Sequence, residues 1–73
     1  MTLYDAKPNN TYLVTQILTQ DNDLKSFLFT LGLMEGEKVF VLTLAKSNMT
    51  IKIKNSRYNI DKNLSKIISV ELI

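Results

Sequence analysis

Leu24-Lys25-Ser26-Phe27-Leu28-Phe29-Thr30-Leu31-Gly32-Leu33-Met34-Glu35-Gly36-Glu37-Lys38-Val39-Phe40-Val41 is the stretch that decides the fold, because its apolar period changes part-way along. Leu24, Phe27, Leu28 and Leu31 fall at i, i+3, i+4 and i+7, the spacing of one face of an α-helix. Gly32 then supplies the left-handed residue that ends a helix, and Leu33 can fold back on the last turn. Met34-Glu35-Gly36-Glu37 reads as a tight turn, with Gly36 at the third position where positive φ is needed. From Lys38 to Ala45 the period becomes two. Val39, Val41 and Thr43 share one side, and Phe40, Leu42 and Leu44 share the other. A helix running through a glycine stop and a turn into a strand is a mixed unit whose strand must find partners elsewhere.

Those partners lie on both sides. Upstream, Pro8-Asn9-Asn10 is a turn: proline presets φ at its second position, and asparagine tolerates the left-handed region. Leu3, before it, is expected to fold back as an apolar plug. Tyr12 to Leu18 is rich in β-branched and aromatic residues and reads as a strand. Gln20-Asp21-Asn22-Asp23 ends that strand and offers side-chain oxygens to the free N–H groups of a helix start. Downstream, Ser47-Asn48 is a turn, and Met49, Ile51 and Ile53 alternate with Thr50, Lys52 and Lys54 in a half-buried strand. Asn55-Ser56 reads as a hairpin turn, Arg57 to Ile60 as the returning strand, Asp61 as the cap of a single helical turn, and Ile67 to Leu72 as a closing strand. Five short strands around a small core favour a closed or nearly closed barrel, which removes exposed edges. An open ferredoxin-like sheet would want a second full-length helix, and Asp61 to Ser65 is too short for one.

Composition narrows the chemistry. The 73 residues contain no cysteine and no histidine. Disulfides, thiolate zinc sites and the usual general base near neutral pH are therefore absent. Two glycines make no phosphate-binding loop. A chain of this length reads as one domain, residues 1–73, that buries roughly 60% of its unfolded surface and depends on every apolar side chain it has. The start, Met1 to Asp5, has no basic segment followed by an apolar one, and the longest apolar run, Val39 to Leu42, is far below the ~20 residues that span a bilayer. These features read as cytoplasmic. The net charge of +2 does not demand nucleic acid or membrane as a partner.

The same residues resemble a known family. The segment from Leu24 to Val41, with Leu31-Gly32-Leu33-Met34-Glu35-Gly36 at its centre, is similar to the middle of FeoA domains, where a short helix runs through Leu-Gly-Leu-x-x-Gly into a strand. Leu3, Lys7 and Pro8 resemble the family's first turn. Arg57, Tyr58 and Ile60, followed by Ile68 and Val70, resemble its last hairpin and closing strand. Asn9 stands where the family usually has glycine, and Glu35 where it often has proline. The resemblance implies a mainly β, SH3-like five-stranded barrel, with an amphipathic helix after the first strand and a one-turn helix before the last. It implies a non-enzymatic accessory protein of bacterial ferrous iron uptake, acting beside a FeoB-type membrane transporter that has a cytosolic GTP-binding region. It also implies the free-standing form of the domain, since no DNA-binding part is present.

No cofactor, catalytic or metal site is assigned. Asp21 and Asp23 read as helix caps. Glu35 and Glu37 without histidine would discriminate poorly among divalent ions. The residues expected at a protein contact are Phe29, which lies off the helical stripe, Met34 at the turn tip, and Glu35 and Gly36 beside it. Pro8, Gly32 and Gly36 are the structural turn residues. Phe40 and Leu42 are expected under the helix. Lys46, Lys52, Lys54 and Arg57 carry two other readings. The blander is that lysines guard exposed strands against aggregation. The sharper is a small barrel that binds single-stranded nucleic acid. A self-assembling adaptor, forming homo-oligomers through an apolar face, is a further alternative.

Overall fold

A computed structural model describes residues 1–73 and contains five antiparallel strands: β1 (Asn10–Ile17), β2 (Lys38–Leu44), β3 (Asn48–Ile53), β4 (Ser56–Asp61) and β5 (Ile68–Leu72). Helix α1 (Asn22–Leu31) joins β1 to β2, and the single-turn α2 (Lys62–Ser65) joins β4 to β5. The hydrogen-bonded order is β4-β3-β2-β1-β5, so β4 and β5 are the sheet's edges. Register breaks in β1 between Val14 and Gln16, and in β2 between Val41 and Thr43. Such bulges bend the strands that carry them and help the sheet curl around its core.

The gap between the edges is filled by short elements. A 3-10 turn, Leu3–Asp5, packs against β5 and α2, and α2 packs against β4. Thr2 bridges to Ser69, and the Val70 N–H donates to the Met1 carbonyl at 2.9 Å. Leu3 is completely buried, the plug expected from sequence. Asn9 has φ 65° and its N–H donates to the Val41 carbonyl at 2.7 Å. Asparagine thus meets the left-handed requirement after Pro8. The hydroxyl of buried Tyr12 accepts from the Lys7 N–H at 2.9 Å and ties this turn to β1.

The core joins Tyr12 and Val14, Val39 and Val41, Met49, Ile51 and Ile53, Ile60, and Ile68 and Val70, one inward face from every strand. No buried side-chain polar atom lacks a partner. Ser65, fully buried, donates to the Lys62 carbonyl within α2. Asp61 caps α2 by accepting from the Asn63 N–H at 2.6 Å.

Four sequence expectations are corrected. The hairpin turns fall on Lys46-Ser47 and Lys54-Asn55, one residue earlier than the small polar pairs suggested, because Ile53 pairs with Ser56 and the Ala45 N–H donates to the Asn48 carbonyl. Lys54 consequently has φ 55°, a conformation lysine enters at a cost. Thr43 does not follow Val39 and Val41 into the core, because the bulge at Leu42 breaks the alternation. Phe27 is 52% exposed although it lies on the predicted helical face. The helix buries the line Leu24, Leu28 and Leu31, and Phe27 lies about 100° around from Leu28, its only fully buried residue. Finally, α1 does not cover Phe40 and Leu42. Both are half-buried and line an open groove on the outer face of β2.

Candidate functional site

The end of α1 and the loop after it form the first site. Asp21 caps the helix, its carboxylate accepting from the N–H groups of Asp23 and Leu24 at 3.0 and 3.1 Å. Asp23 sits in the first turn, where its charge suits the helix dipole. At the other end Gly32 has φ 96°. Its N–H donates to Phe29 at 2.9 Å, and the Leu33 N–H donates to Leu28 at 2.9 Å, the paired bonds of a Schellman motif. Leu33 then drops into the core, 1% exposed. A Cβ on Gly32 would lie 2.9 Å from Ile53 Cγ2, so the position needs glycine for both its φ and its space.

The next turn is equally constrained. The Glu37 N–H donates to the Met34 carbonyl at 3.1 Å, with Gly36 at φ 89° in the third position. The Gly36 N–H donates to the Val14 carbonyl at 2.8 Å, and the Val14 N–H to the Glu37 carbonyl at 2.9 Å. Two bonds to one residue of β1 therefore fix the loop that carries Met34 and Glu35.

Between this loop and α1 lies a groove of about 420 Å³, lined by Phe29, Met34, Glu35, Leu33, Ile17, Gln16 and Lys25. Phe29 is 60% exposed and Met34 half-buried. Three of the residues singled out in the sequence, Phe29, Met34 and Glu35, thus meet in one concavity. Gly36 does not line it and acts through the turn. Ile17, Lys25 and Leu33 were not singled out. Ile17 and Lys25 are remote from Met34 in sequence, and only the packing of α1 beside β1 brings them there.

The basic residues divide. Lys52, Lys54 and Arg57 come together on the outer face of β2, β3 and β4, with Lys38, which the sequence reading did not include. Lys46 lies apart, beside Tyr4, Asp61, Lys62 and Lys66, with the Lys66 ammonium 4.8 Å from the Tyr4 ring centre. No three carboxylates converge at any point in the structure. No helix is long and apolar enough to cross a membrane.

The FeoA domain family model matches residues 1–72. The chain belongs to the FeoA domain family. Membership of this family implies a role in ferrous iron transport. A crystal structure of an iron uptake regulatory protein, FeoA, shares 25% identity and superposes with a TM-score of 0.89, each chain covered in full. Stenotrophomonas maltophilia FeoA, a prokaryotic SH3-domain protein crystallised with zinc, is 22% identical with a TM-score of 0.75, covering 97% of this chain and 89% of that one. A manganese-dependent transcriptional repressor contains the same fold at a TM-score of 0.89 and 14% identity, with 99% of this chain matching 36% of the repressor. No curated protein matches. The SH3-like fold expected from the resemblance is therefore the fold of this FeoA domain.

Proposed function

We propose that this FeoA domain is a non-enzymatic binding module of the cytoplasm. It docks on the cytosolic GTP-binding region of a FeoB-type ferrous iron transporter and biases that region's nucleotide cycle. The contact is made by the groove of Phe29, Met34 and Glu35. One observation supports this surface above the others: an exposed aromatic, a methionine and a carboxylate share a concavity whose loop is pinned to Val14 by two backbone hydrogen bonds. A pre-ordered loop avoids much of the entropy loss that weakens flexible docking surfaces. Methionine adapts to the contours of a partner, and large aromatic anchors dominate binding energy when a partner covers them. A domain that binds one nucleotide state better than another shifts its partner toward that state.

The test is a titration of this chain against the cytosolic GTP-binding region, loaded with GDP or with a non-hydrolysable GTP analogue. Saturable binding that differs between the two is the expected result. Equal binding in both states removes the regulatory role, and no binding in either removes the docking reading. The paired variant Phe29→Asp and Met34→Asp is expected to weaken binding by roughly 100-fold, since loss of a central anchor typically exceeds ~2 kcal/mol. Both side chains lie outside the fully buried core, so the fold is expected to survive the change.

A further inference from the structure

The outer face of β2, β3 and β4 has a pattern that the groove at α1 does not explain. Pairing aligns Phe40 with Lys52 and Lys52 with Arg57, a continuous cross-strand row. Lys38 and Leu42 extend it along β2, and Lys54 adds to it from the turn that follows β3. The result is an open groove of about 410 Å³ with Phe40 and Leu42 half-buried among Lys38, Lys52, Lys54 and Arg57. Four of the chain's nine cationic side chains are gathered here, although the whole chain carries only +2.

Protection of a sheet edge does not account for this arrangement. The edges are β4 and β5, whereas Lys38 and Lys52 stand on the interior strands β2 and β3. Neighbouring carboxylates offset only one of these cations. The structure's one ion pair joins Lys54 to Glu37 at 3.9 Å, which leaves Lys38, Lys52 and Arg57 without an acidic partner. Lys54 keeps its cation on this face in a left-handed conformation that glycine or asparagine would occupy more cheaply.

We infer that this face is a second docking surface and that its occupant is an extended acidic protein segment that presents carboxylate and apolar side chains in turn along one face, at every second residue. Along an extended chain, alternate side chains recur about every 6.6 Å, the same repeat that places Lys38, Phe40 and Leu42 along β2. Carboxylates reach the cations and an apolar side chain covers Phe40 and Leu42. Single-stranded nucleic acid fits less well. Its bases need successive aromatic platforms, and Phe40 is the sole aromatic lining the groove, because Tyr58 pairs with buried Ile51 and packs against the core. This surface shares no residue with the Phe29 groove, so it does not depend on what that groove binds.

The experiment titrates the isotope-labelled chain with three probes, reading backbone amide shifts: a short peptide with glutamate and leucine alternating at every second residue and serine between them, a peptide of equal length with glutamate at all of those positions, and oligothymidylate. The alternating peptide is expected to bind about tenfold more tightly than the one without leucine, with shifts centred on Phe40, Leu42 and Lys52. Lys52→Glu with Arg57→Glu should weaken it by at least about tenfold, and the milder Lys52→Gln by less, while the dispersed spectrum of a folded chain persists. Absence of peptide binding, binding indifferent to these substitutions, equal affinity for the two peptides, or tighter binding of oligothymidylate would each overturn the inference.

Discussion

Gly32→Ala is expected to destabilise the chain by about 2–5 kcal/mol, against about 1–2 kcal/mol for Gly36→Ala, read from denaturant midpoints. Both glycines have positive φ, so both substitutions carry the left-handed penalty. They differ in surroundings. A Cβ at Gly32 meets Ile53 Cγ2 at 2.9 Å, and Ile53 belongs to the core, whereas a Cβ at Gly36 meets nothing within 4 Å. A domain of this size has a total stability of only several kcal/mol, so the first change removes a large share of it. Equal losses at the two positions would show that the Ile53 contact is relieved without cost.

Leu28→Ala should cost about 3–5 kcal/mol, whereas Phe27→Ala should cost less than about 1 kcal/mol, measured in the same way. Leu28 is completely buried and is the helix's only fully buried residue, so its truncation leaves a cavity where α1 meets the barrel. Phe27 is larger, but 52% of it remains in water. A larger loss at Phe27 would mean that the helix docks by a different face, and with it the position of Phe29 would change. Lys54→Gly gives a smaller contrast. Relief of the left-handed strain should raise stability slightly, by up to about 1 kcal/mol, measured as a shift in thermal midpoint.

These contrasts separate what was legible in the sequence from what was not. The helix stop at Gly32, the turn at Gly36 and the Pro8-Asn9 turn were readable because each rests on local backbone conformation, and a few residues carry the whole signal. The inward set Met49, Ile51 and Ile53 was readable because strict alternation has only one buried side. Phe27 misled because four apolar positions at helical spacing define a stripe wider than a short helix can bury against a curved sheet. Phe40 and Leu42 misled for a related reason. A strand apolar on both sides does not say which side a helix covers, and α1 leaves this one open. The hairpin turns moved by one residue because long-range pairing, which fixes which side chains enter the core, overrides the local preference of Asn and Ser for turns.

The sites divide in the same way. Phe29 was identified because it lies off the helical stripe, and Met34, with Glu35 beside it, because it sits at the turn tip. Their meeting with Ile17 and Lys25 follows from tertiary packing, which periodicity does not encode. Lys38 escaped notice because its significance lies across the sheet, in the row through Phe40, Lys52 and Arg57, and cross-strand neighbours are known only when the register is known.

The proposed docking sets the α1 groove against the transporter. The most direct measurement is amide-shift mapping of the isotope-labelled chain titrated with the unlabelled GTP-binding region of its host's FeoB-type transporter. The expected result is that the perturbed amides cluster on Ile17, Lys25, Phe29, Leu33, Met34 and Glu35, and that the Phe29→Asp, Met34→Asp variant needs roughly 100-fold more partner for the same shifts while keeping a folded spectrum. Shifts centred on Phe40, Lys52 and Arg57 instead, or no shifts at any concentration, would contradict it.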